Sequence, residues 1–288
     1  MNILIYLAAE PTALLIFVGI LGLIVGSFLN VVIYRLPIMM EQEWRHQCTQ
    51  LLNGSAPSPP ETFNLFWPRS HCPHCQHQIT ALENIPLLSY LWRLGRCSAC
   101  HQPISIRYPL VEAVSALLAI IAAWQLGFGL PLLVALALTW ALLAASLIDF
   151  QHQLLPDSIT LPFLWFGLLC NYFGLYTDLE SSVIGAMAGY MILWSVYWLF
   201  KLVTGKEGMG YGDFKLLAML GAFLGWQALP AIILMSSLVG AVVGVTLILL
   251  RRMDKEVPIP FGPYLAAAGW LSLLWGDSQI YGYLRWPI

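Results

Sequence analysis

The sequence predicts an all-α polytopic membrane protein, with about eight transmembrane helices and a small polar domain inserted between the first two. Of the 288 residues, 59% are hydrophobic and only 10% are charged, whereas soluble domains carry about 25% charged residues. So much apolar surface must face lipid. Backbone in lipid has to satisfy its own hydrogen bonds, and no alternating strand pattern indicates a barrel, so we expect the spans to be helices.

Eight apolar stretches are long enough, or nearly so, for the roughly 20 residues that a membrane span needs. The sixth is short, because the 13 residues from Phe214 to Trp226 make about 20 Å of helix against a hydrocarbon core of about 30 Å. Either this helix begins below the membrane surface, or 214–250 forms a re-entrant hairpin. The eight stretches are 11–34, 108–126, 130–148, 159–176, 181–203, 214–228, 229–250 and 260–276.

The basic residues predict which side of the membrane each loop occupies. Eight spans put both termini on one side, and twelve of the thirteen Lys and Arg residues fall on the other side, with Arg285 as the exception. Cytoplasmic loops carry an excess of Lys and Arg, so we expect the basic side to be cytoplasmic and both termini to be periplasmic. The twelve residues are Arg35, Arg45, Arg69, Arg93, Arg96, Arg107, Lys201, Lys206, Lys215, Arg251, Arg252 and Lys255.

The only long polar stretch is 35–107. We therefore expect three parts: a first transmembrane helix within 1–34, a cytoplasmic domain over 35–107, and a bundle of membrane helices over 108–288. Within the polar domain, 41–62 is expected to be a flexible loop.

Two C-x-x-C pairs in the polar domain predict a zinc-ribbon-like metal site. Cys72 and Cys75 form one pair, Cys97 and Cys100 form the other, and 21 residues separate the pairs, close to the spacing of known zinc modules. Four thiolates suit a tetrahedral structural Zn²⁺, and a reducing cytoplasm favours metal over disulfides. Redox-active or metal-free cysteines remain the alternative. Four neighbouring histidines are alternative ligands: His71, His74, His77 and His101.

Two aspartates lie at the cytoplasmic ends of predicted spans. Asp149 ends an otherwise uncharged helix, and Asp213 begins the short sixth helix. A carboxylate near the hydrocarbon is costly and is a functional-site hypothesis by default, although each alone could be an interfacial helix cap. Two that converge would share one proton, so that the ionised carboxylate takes a proton from water and the protonated one polarises a peptide carbonyl. The pair therefore predicts peptide hydrolysis without a covalent intermediate.

The residues around the pair support this interpretation. Gly208, Gly210 and Gly212 are expected to allow positive φ angles and close approach of a substrate chain. This glycine run is also compatible with a phosphate-binding loop, but no strand precedes it and no Walker-type lysine followed by Ser or Thr is present. Asp157 is expected to be the N-cap of the fourth helix, and the role of His152 is left open.

These motifs resemble those of the bacterial prepilin peptidases, which belong to the Gly-x-Gly-Asp membrane aspartyl proteases. The resemblance assigns catalysis to Asp149 and Asp213, and it treats Asp157 as an acid that does not activate the nucleophile. It also implies cleavage of the leader from type IV prepilins or type II secretion pseudopilins. Its signature is Gly208-Met209-Gly210-Tyr211-Gly212-Asp213, and the two aspartates are 64 positions apart.

The resemblance extends to the first helix and to the cysteine domain. It covers Gly26–Arg35 and Glu83–Tyr90, and it implies N-methylation of the new amino terminus with S-adenosylmethionine. Glu83 and Gly95 are the expected methyl-transfer residues, against the plainer interpretation of a surface acid and a turn. Arg93-Leu94-Gly95 stands where the family has Leu-Arg-Gly, which leaves any role for Arg93 open.

The expected partners are therefore prepilin or pseudopilin substrates and membrane lipid, with no nucleic acid, and the expected location is the bacterial inner membrane. The sequence indicates no oligomeric state. Two other classes stay open on the residues alone. Intramembrane acids and broken helices also mark ion- or metal-coupled transporters, and a non-enzymatic membrane assembly factor could carry the same cysteine module.

Overall fold

The computed structural model describes residues 3–53, 63–206, 208–250 and 260–276. The chain divides into two compact units, Met1–Leu132 and Leu133–Ile288. Within the described residues the secondary structure is helical and no β-strand forms, which confirms the all-α prediction. The basic residues Arg251, Arg252, Lys255 and Arg285 lie outside the described residues.

Eight of the ten α-helices within the described residues coincide with the eight predicted spans. The other two are short: α1 (Ile3–Ala9) precedes the first span, and α3 (Leu88–Trp92) lies in the polar domain. The eight are α2 (Pro11–Asn53), α4 (Arg107–Leu126), α5 (Leu130–His152), α6 (Asp157–Tyr172), α7 (Leu179–Thr204), α8 (Tyr211–Leu224), α9 (Leu229–Leu249) and α10 (Gly262–Trp275).

Among the described residues, five helices are long and apolar enough to cross a membrane: α2, α4, α5, α7 and α9 together with the 3₁₀ turn before it. The chain is therefore a polytopic membrane protein. Helices α6, α8 and α10 have 16, 14 and 14 residues, so the number of eight spans stays a prediction.

The first unit is built on α2 and α4. These helices approach closely because small residues lie where they cross: a Cβ atom added at Gly26 would meet the backbone of Glu112 at 2.7 Å. Polar groups also link them, since the Ser115 hydroxyl donates to the Gly22 carbonyl (2.7 Å) and the Asn30 amide donates to the Tyr108 carbonyl (3.1 Å).

Helix α2 is longer than predicted. Its 43 residues make about 65 Å of helix, roughly twice the hydrocarbon thickness, so it continues past the expected end at residue 34. The expected flexible loop over 41–62 is wrong for 41–53, which are helical; 54–62 lie outside the described residues. The buried Arg35 guanidinium holds the following segment against α2 by donating to the carbonyls of Asn64 (2.9 Å) and Pro68 (2.6 Å).

The second unit is organised around α8. Every residue of α8 from Leu216 to Phe223 is buried, and α6, α7 and α10 pack around this helix. At the α7–α8 crossing Gly185 and Gly221 face each other, and a Cβ atom on either would overlap the other's carbonyl group. A helix that is apolar on all sides is a buried helix, so α8 can be shorter than the bilayer because protein surrounds it.

Candidate active site and metal centre

The first predicted catalytic residue, Asp149, lies in the last turn of α5 and is 6% exposed. Its Oδ2 atom accepts a hydrogen bond from the backbone N–H of Gly262, the first residue of α10, at 3.0 Å. The first N–H groups of a helix have no partner within that helix and favour acidic groups. The start of α10 therefore orients Asp149. Sequence reasoning missed this contact, although the run Pro260-Phe261-Gly262-Pro263 is typical of a helix start.

The second, Asp213, is the third residue of α8 and is likewise 6% exposed. The expectation that it lies in the first turn of its helix is confirmed. Asp213 lies within electrostatic range of Asp149, although the two acids are 64 positions apart in the chain. Leu155 packs between their supports: its side chain lies 2.7 Å from a Cβ atom added at Gly212 and 3.2 Å from one added at Gly262.

The glycines before Asp213 differ from the expectation. None of the three has a positive φ angle: Gly210 is extended at φ −86°, and Gly212 is helical. Two of them instead permit close packing, since an added Cβ atom would meet the Phe200 ring (2.8 Å) at Gly208 and Leu155 (2.7 Å) at Gly212. These two glycines are needed because they lack a side chain and so leave room for their neighbours, not because their backbone adopts an unusual conformation.

The neighbouring acid Asp157 is not the N-cap of its helix. Pro156 occupies that position, and Asp157 is the first helical residue. Both Asp157 carboxylate oxygens accept from the Lys215 ammonium at 2.7 Å. This ion pair ties the start of α6 to Lys215 in the N-terminal part of α8, two residues after Asp213. His152 is exposed at the end of α5, and the structure assigns it no role.

The four cysteines predicted to bind metal come together in the first unit. Their sulfur atoms all lie within 4.8 Å of one another, and the Cys72–Cys100 and Cys75–Cys97 distances are 3.8 and 3.9 Å. A tetrahedral zinc with bonds of about 2.3 Å needs sulfur atoms about 3.8 Å apart. The donor set therefore fits zinc in number and spacing, and it can hold a metal ion.

The two cysteine pairs have the same backbone geometry. In each, the residue after the second cysteine has a positive φ angle, 60° at Gln76 and 58° at His101, and its N–H returns to the carbonyl of the first cysteine. Glycine usually occupies this conformation. Here Gln76 and His101 occupy it, so no glycine in the sequence marks these turns. Within the described residues the candidate metal ligands are the four cysteines, and none of the four histidines joins them.

The electrostatics of the cluster also favour a cation. Hydrogen bonds from the backbone of Cys100 and Ala99 lower the pKa of the Cys97 thiol to about 6. A hydrogen bond from the Gln102 backbone lowers the pKa of Cys100, but burial and the neighbouring thiols outweigh it and raise that pKa to about 12. These opposite pKa shifts indicate that one thiolate forms readily in the cluster and that further negative charge is resisted. A bound cation would remove that resistance.

Glu83, predicted for methyl transfer, is held firmly in the cysteine domain. Hydrogen bonds from Ser98 and from the Thr80 backbone N–H lower its pKa to about 2, so it is ionised at neutral pH. Arg93 forms a salt bridge with its Oε1 atom at 3.1 Å, and His77 lies 3.4 Å away. Arg93, whose role the sequence left open, therefore joins Glu83 to the segment before the second cysteine pair.

Gly95, the other predicted methyl-transfer residue, is explained by packing. Its φ angle is +69°, and a Cβ atom would lie 2.8 Å from the Tyr90 ring. The Tyr90 hydroxyl in turn donates to the Ile104 carbonyl at 3.3 Å. A side chain at position 95 would displace this ring and strain the turn that leads into the second cysteine pair.

The fold and these sites define a polytopic helical membrane protein with a buried pair of carboxyl groups in one unit and a four-thiol cluster in the other. Residues 20–126 match the bacterial peptidase A24 N-terminal domain, and residues 136–245 match the type IV leader peptidase family. The chain belongs to this family. Its apolar helices and its family together make it a bacterial inner-membrane protein.

Curated relatives are similar along nearly the whole chain, and each is named prepilin leader peptidase/N-methyltransferase. The chain is 58% identical to the protein of Stutzerimonas stutzeri (97% of each chain), 60% to that of Aeromonas salmonicida (93% of this chain, 92% of the relative) and 57% to that of Pseudomonas aeruginosa (99% and 98%). No solved structure matches the chain.

Proposed function

We propose that this chain cleaves the leader from prepilins or pseudopilins with Asp149 and Asp213, and then N-methylates the new amino terminus. Membership of a peptidase family, together with relatives that share more than half of its residues, makes the chain a prepilin peptidase with N-methyltransferase activity. The observation that supports the catalytic assignment is that two buried acids, Asp149 in the last turn of α5 and Asp213 in the first turn of α8, lie within electrostatic range of each other.

Peptide hydrolysis follows from this pair. Two nearby carboxyl groups hold one proton between them, because like charges in a buried site cannot both ionise. The ionised group takes a proton from a water molecule, whose oxygen attacks the scissile carbonyl carbon, while the protonated group donates to the carbonyl oxygen. The tetrahedral intermediate then collapses as its nitrogen receives a proton and the C–N bond breaks. The products are a leader ending in a carboxyl group and a chain with a free amine.

In this proposal Gly262 and Lys215 position the two acids without taking part in the reaction. The Gly262 N–H holds Asp149 through one oxygen. The Lys215–Asp157 pair ties the N-terminal part of α8, which carries Asp213 in its first turn, to α6. Such preorganisation matters because a misplacement of about 1 Å at a reacting group can cost about 100-fold in rate.

We place the active site and the cysteine domain on the cytoplasmic side of the membrane. The basic residues between the spans favour this orientation by the positive-inside rule. A substrate with a short basic leader followed by an apolar helix would present its scissile bond at the cytoplasmic interface. The carboxyl groups at the ends of α5 and α8 would then lie at the depth of that bond.

We assign a structural Zn²⁺ to Cys72, Cys75, Cys97 and Cys100. The sulfur spacing and the matching backbone geometry of the two pairs support a closed tetrahedral site. Zinc at this position would fix the domain that carries Glu83. S-adenosylmethionine, when bound, supplies the methyl group. We keep Glu83 and Gly95 as proposed methyl-transfer residues, and their contacts indicate that both act by shaping the domain: Glu83 through Arg93, and Gly95 through Tyr90.

The test is incubation of the full-length, detergent-solubilised protein with a purified prepilin, with and without S-adenosylmethionine, followed by mass spectrometry of the product. We expect loss of the leader in both reactions and a gain of one methyl mass only with the methyl donor. An uncut substrate would refute the peptidase assignment and return attention to a transporter or an assembly factor. A cut product without added mass would refute the methyl transfer alone.

A further inference from the structure

The short helix α3 in the polar domain has an exposed apolar side. Three of its five residues are large, apolar and exposed, and they share one side of the helix because they lie three and four positions apart. The opposite side packs into the domain, where the Tyr90 hydroxyl donates to the Ile104 carbonyl. With a fourth residue in the following turn, they form the α3 apolar patch, whose exposed fractions are 63% at Leu88, 68% at Leu91, 90% at Trp92 and 85% at Leu94. Four neighbouring apolar side chains this exposed indicate an interaction surface.

The turns that lead into α3 lie beside the membrane helices and not beyond their ends. The Ser27 hydroxyl of α2 donates to the Asn84 side-chain oxygen at 3.5 Å. The Leu87 N–H donates to the buried carboxyl group of Glu112 in α4 at 2.9 Å. Residues 81–86 also face apolar side chains of α2 across a shared hollow. Because Ser27 and Glu112 both fall within predicted spans, this part of the polar domain lies at membrane depth.

The arginines that bound these spans give the depth of the contacts. Ser27 precedes Arg35 by eight positions, about 12 Å of helix, and Glu112 follows Arg107 by five positions, about 7.5 Å. The headgroup layer on each side of a bilayer is about 5–8 Å thick. With both arginines at the water edge of that layer, residues 84–87 reach the boundary between headgroups and hydrocarbon. Interfacial helices bury their apolar side to this depth, about 5–10 Å.

The surroundings of the α3 apolar patch also favour lipid. Tryptophan concentrates at membrane–water interfaces, which fits the position of Trp92. Arg96 is exposed two positions after Leu94, where it can pair with an anionic headgroup. The patch therefore extends a surface that already faces lipid, because α2 and α4 expose apolar side chains at the same level. These side chains are Ile24, Phe28, Tyr108 and Leu110.

We propose that the α3 apolar patch inserts into the lipid surface and anchors the cysteine domain to the membrane. A partner protein would have to displace lipid from a patch that lies below the level of Arg35 and Arg107, whereas lipid is already present there. The inference requires only that α2 and α4 span the membrane, and it does not depend on the proposed catalytic function. The anchor also holds Glu83 near the membrane surface, because Glu83 forms a salt bridge with Arg93, the residue after Trp92.

The first test labels the wild-type, full-length protein from the lipid. The protein is reconstituted in vesicles of phosphatidylethanolamine and phosphatidylglycerol that contain a phospholipid with a diazirine in the upper part of its acyl chain. After illumination, labelled peptides are mapped by mass spectrometry. We expect label within 88–94 and at the exposed residues Leu110 and Leu117 of α4, and none within 41–53, the polar end of α2. Label on α4 without label in 88–94 would overturn the inference.

The second test measures thiol reactivity, with the natural Cys48 as the internal control. In membrane fragments open on both faces, a water-soluble maleimide should label Cys48, which is exposed and lies 13 positions beyond Arg35. Leu91→Cys, made in the Cys48→Ser protein, should react at least tenfold more slowly, because lipid excludes the reagent and the thiolate needs water. Reaction at the Cys48 rate would contradict insertion. A Leu91→Cys thiol that reacts freely and is protected only by added prepilin would assign the patch to the substrate instead.

Discussion

Gly262→Ala tests whether the start of α10 sets the position of Asp149. An alanine Cβ atom would lie 2.6 Å from the Asp149 Oδ2 atom and 3.2 Å from Leu155. Ordinary contacts begin near 3.4 Å, so the carboxyl group or the helix start must move by about 0.8 Å. The substitution keeps the N–H donor, and it therefore tests placement rather than loss of the hydrogen bond.

The expected loss follows from that displacement. A misplacement of about 1 Å at a catalytic group can cost about 100-fold, so we expect kcat/KM for leader cleavage to fall by about 30- to 100-fold, equivalent to roughly 2–3 kcal/mol of transition-state stabilisation. The assay is the initial rate of leader removal from a purified prepilin in detergent. Gly240→Ala is the matched control, because it lies in α9 beside α10 and its added Cβ atom meets only an ordinary contact at 3.4 Å. Wild-type cleavage by Gly262→Ala would refute the claim that this contact orients a catalytic carboxylate.

Three further predictions follow from the packing, the cysteine cluster and the ion pair. Gly221→Ala forces α7 and α8 apart and should reduce the free energy of unfolding by about 1–3 kcal/mol, measured by thermal or denaturant unfolding in detergent. The control Gly129→Ala, whose added Cβ atom has its nearest neighbour at 3.4 Å, should show no such loss. Equal stability of the two variants would contradict the crossing geometry. Metal analysis should find one zinc per chain in the wild type and a large loss of zinc in Cys97→Ser. The control is Cys48→Ser, which changes an exposed cysteine outside the cluster and should keep its zinc. Full zinc occupancy in Cys97→Ser would exclude the four-sulfur site. Lys215→Met breaks the ion pair with Asp157, whose side chains are 27% and 53% exposed. Because solvent screens such a pair, the substitution should cost at most about 1 kcal/mol of stability. A much larger loss in unfolding measurements would show that solvent does not screen this pair.

Much of the helical architecture could be predicted from hydropathy, because lipid imposes a minimum length and a nearly uncharged composition on each span. The limits appear where protein rather than lipid surrounds a helix. The short α8 is apolar because α6, α7 and α10 enclose it, and hydropathy does not distinguish that environment from a bilayer. The end of α2 was also misplaced, since residues 35–53 become polar without ceasing to be helical.

The candidate sites show the same division. Asp149, Asp213 and the four cysteines could be selected from the sequence because charge at a membrane boundary and paired thiols are chemically unusual. The backbone groups that orient these residues are harder to recognise from the sequence. The Gly262 contact depends on the first backbone N–H of α10, and the cysteine knuckles place Gln76 and His101 at positive φ angles without a glycine to mark them.

The central claim is that Asp149 and Asp213 form one proton-sharing pair, and leader cleavage by their asparagine variants tests it most directly. Each of Asp149→Asn and Asp213→Asn keeps the size of the side chain and removes its acid–base chemistry. With the same prepilin and inserted protein of wild-type stability, both variants should lose all measurable cleavage, while Asp157→Asn, which loses only the ion pair with Lys215, should cut at a reduced but measurable rate. Cleavage at the wild-type rate by either of the first two would contradict the account.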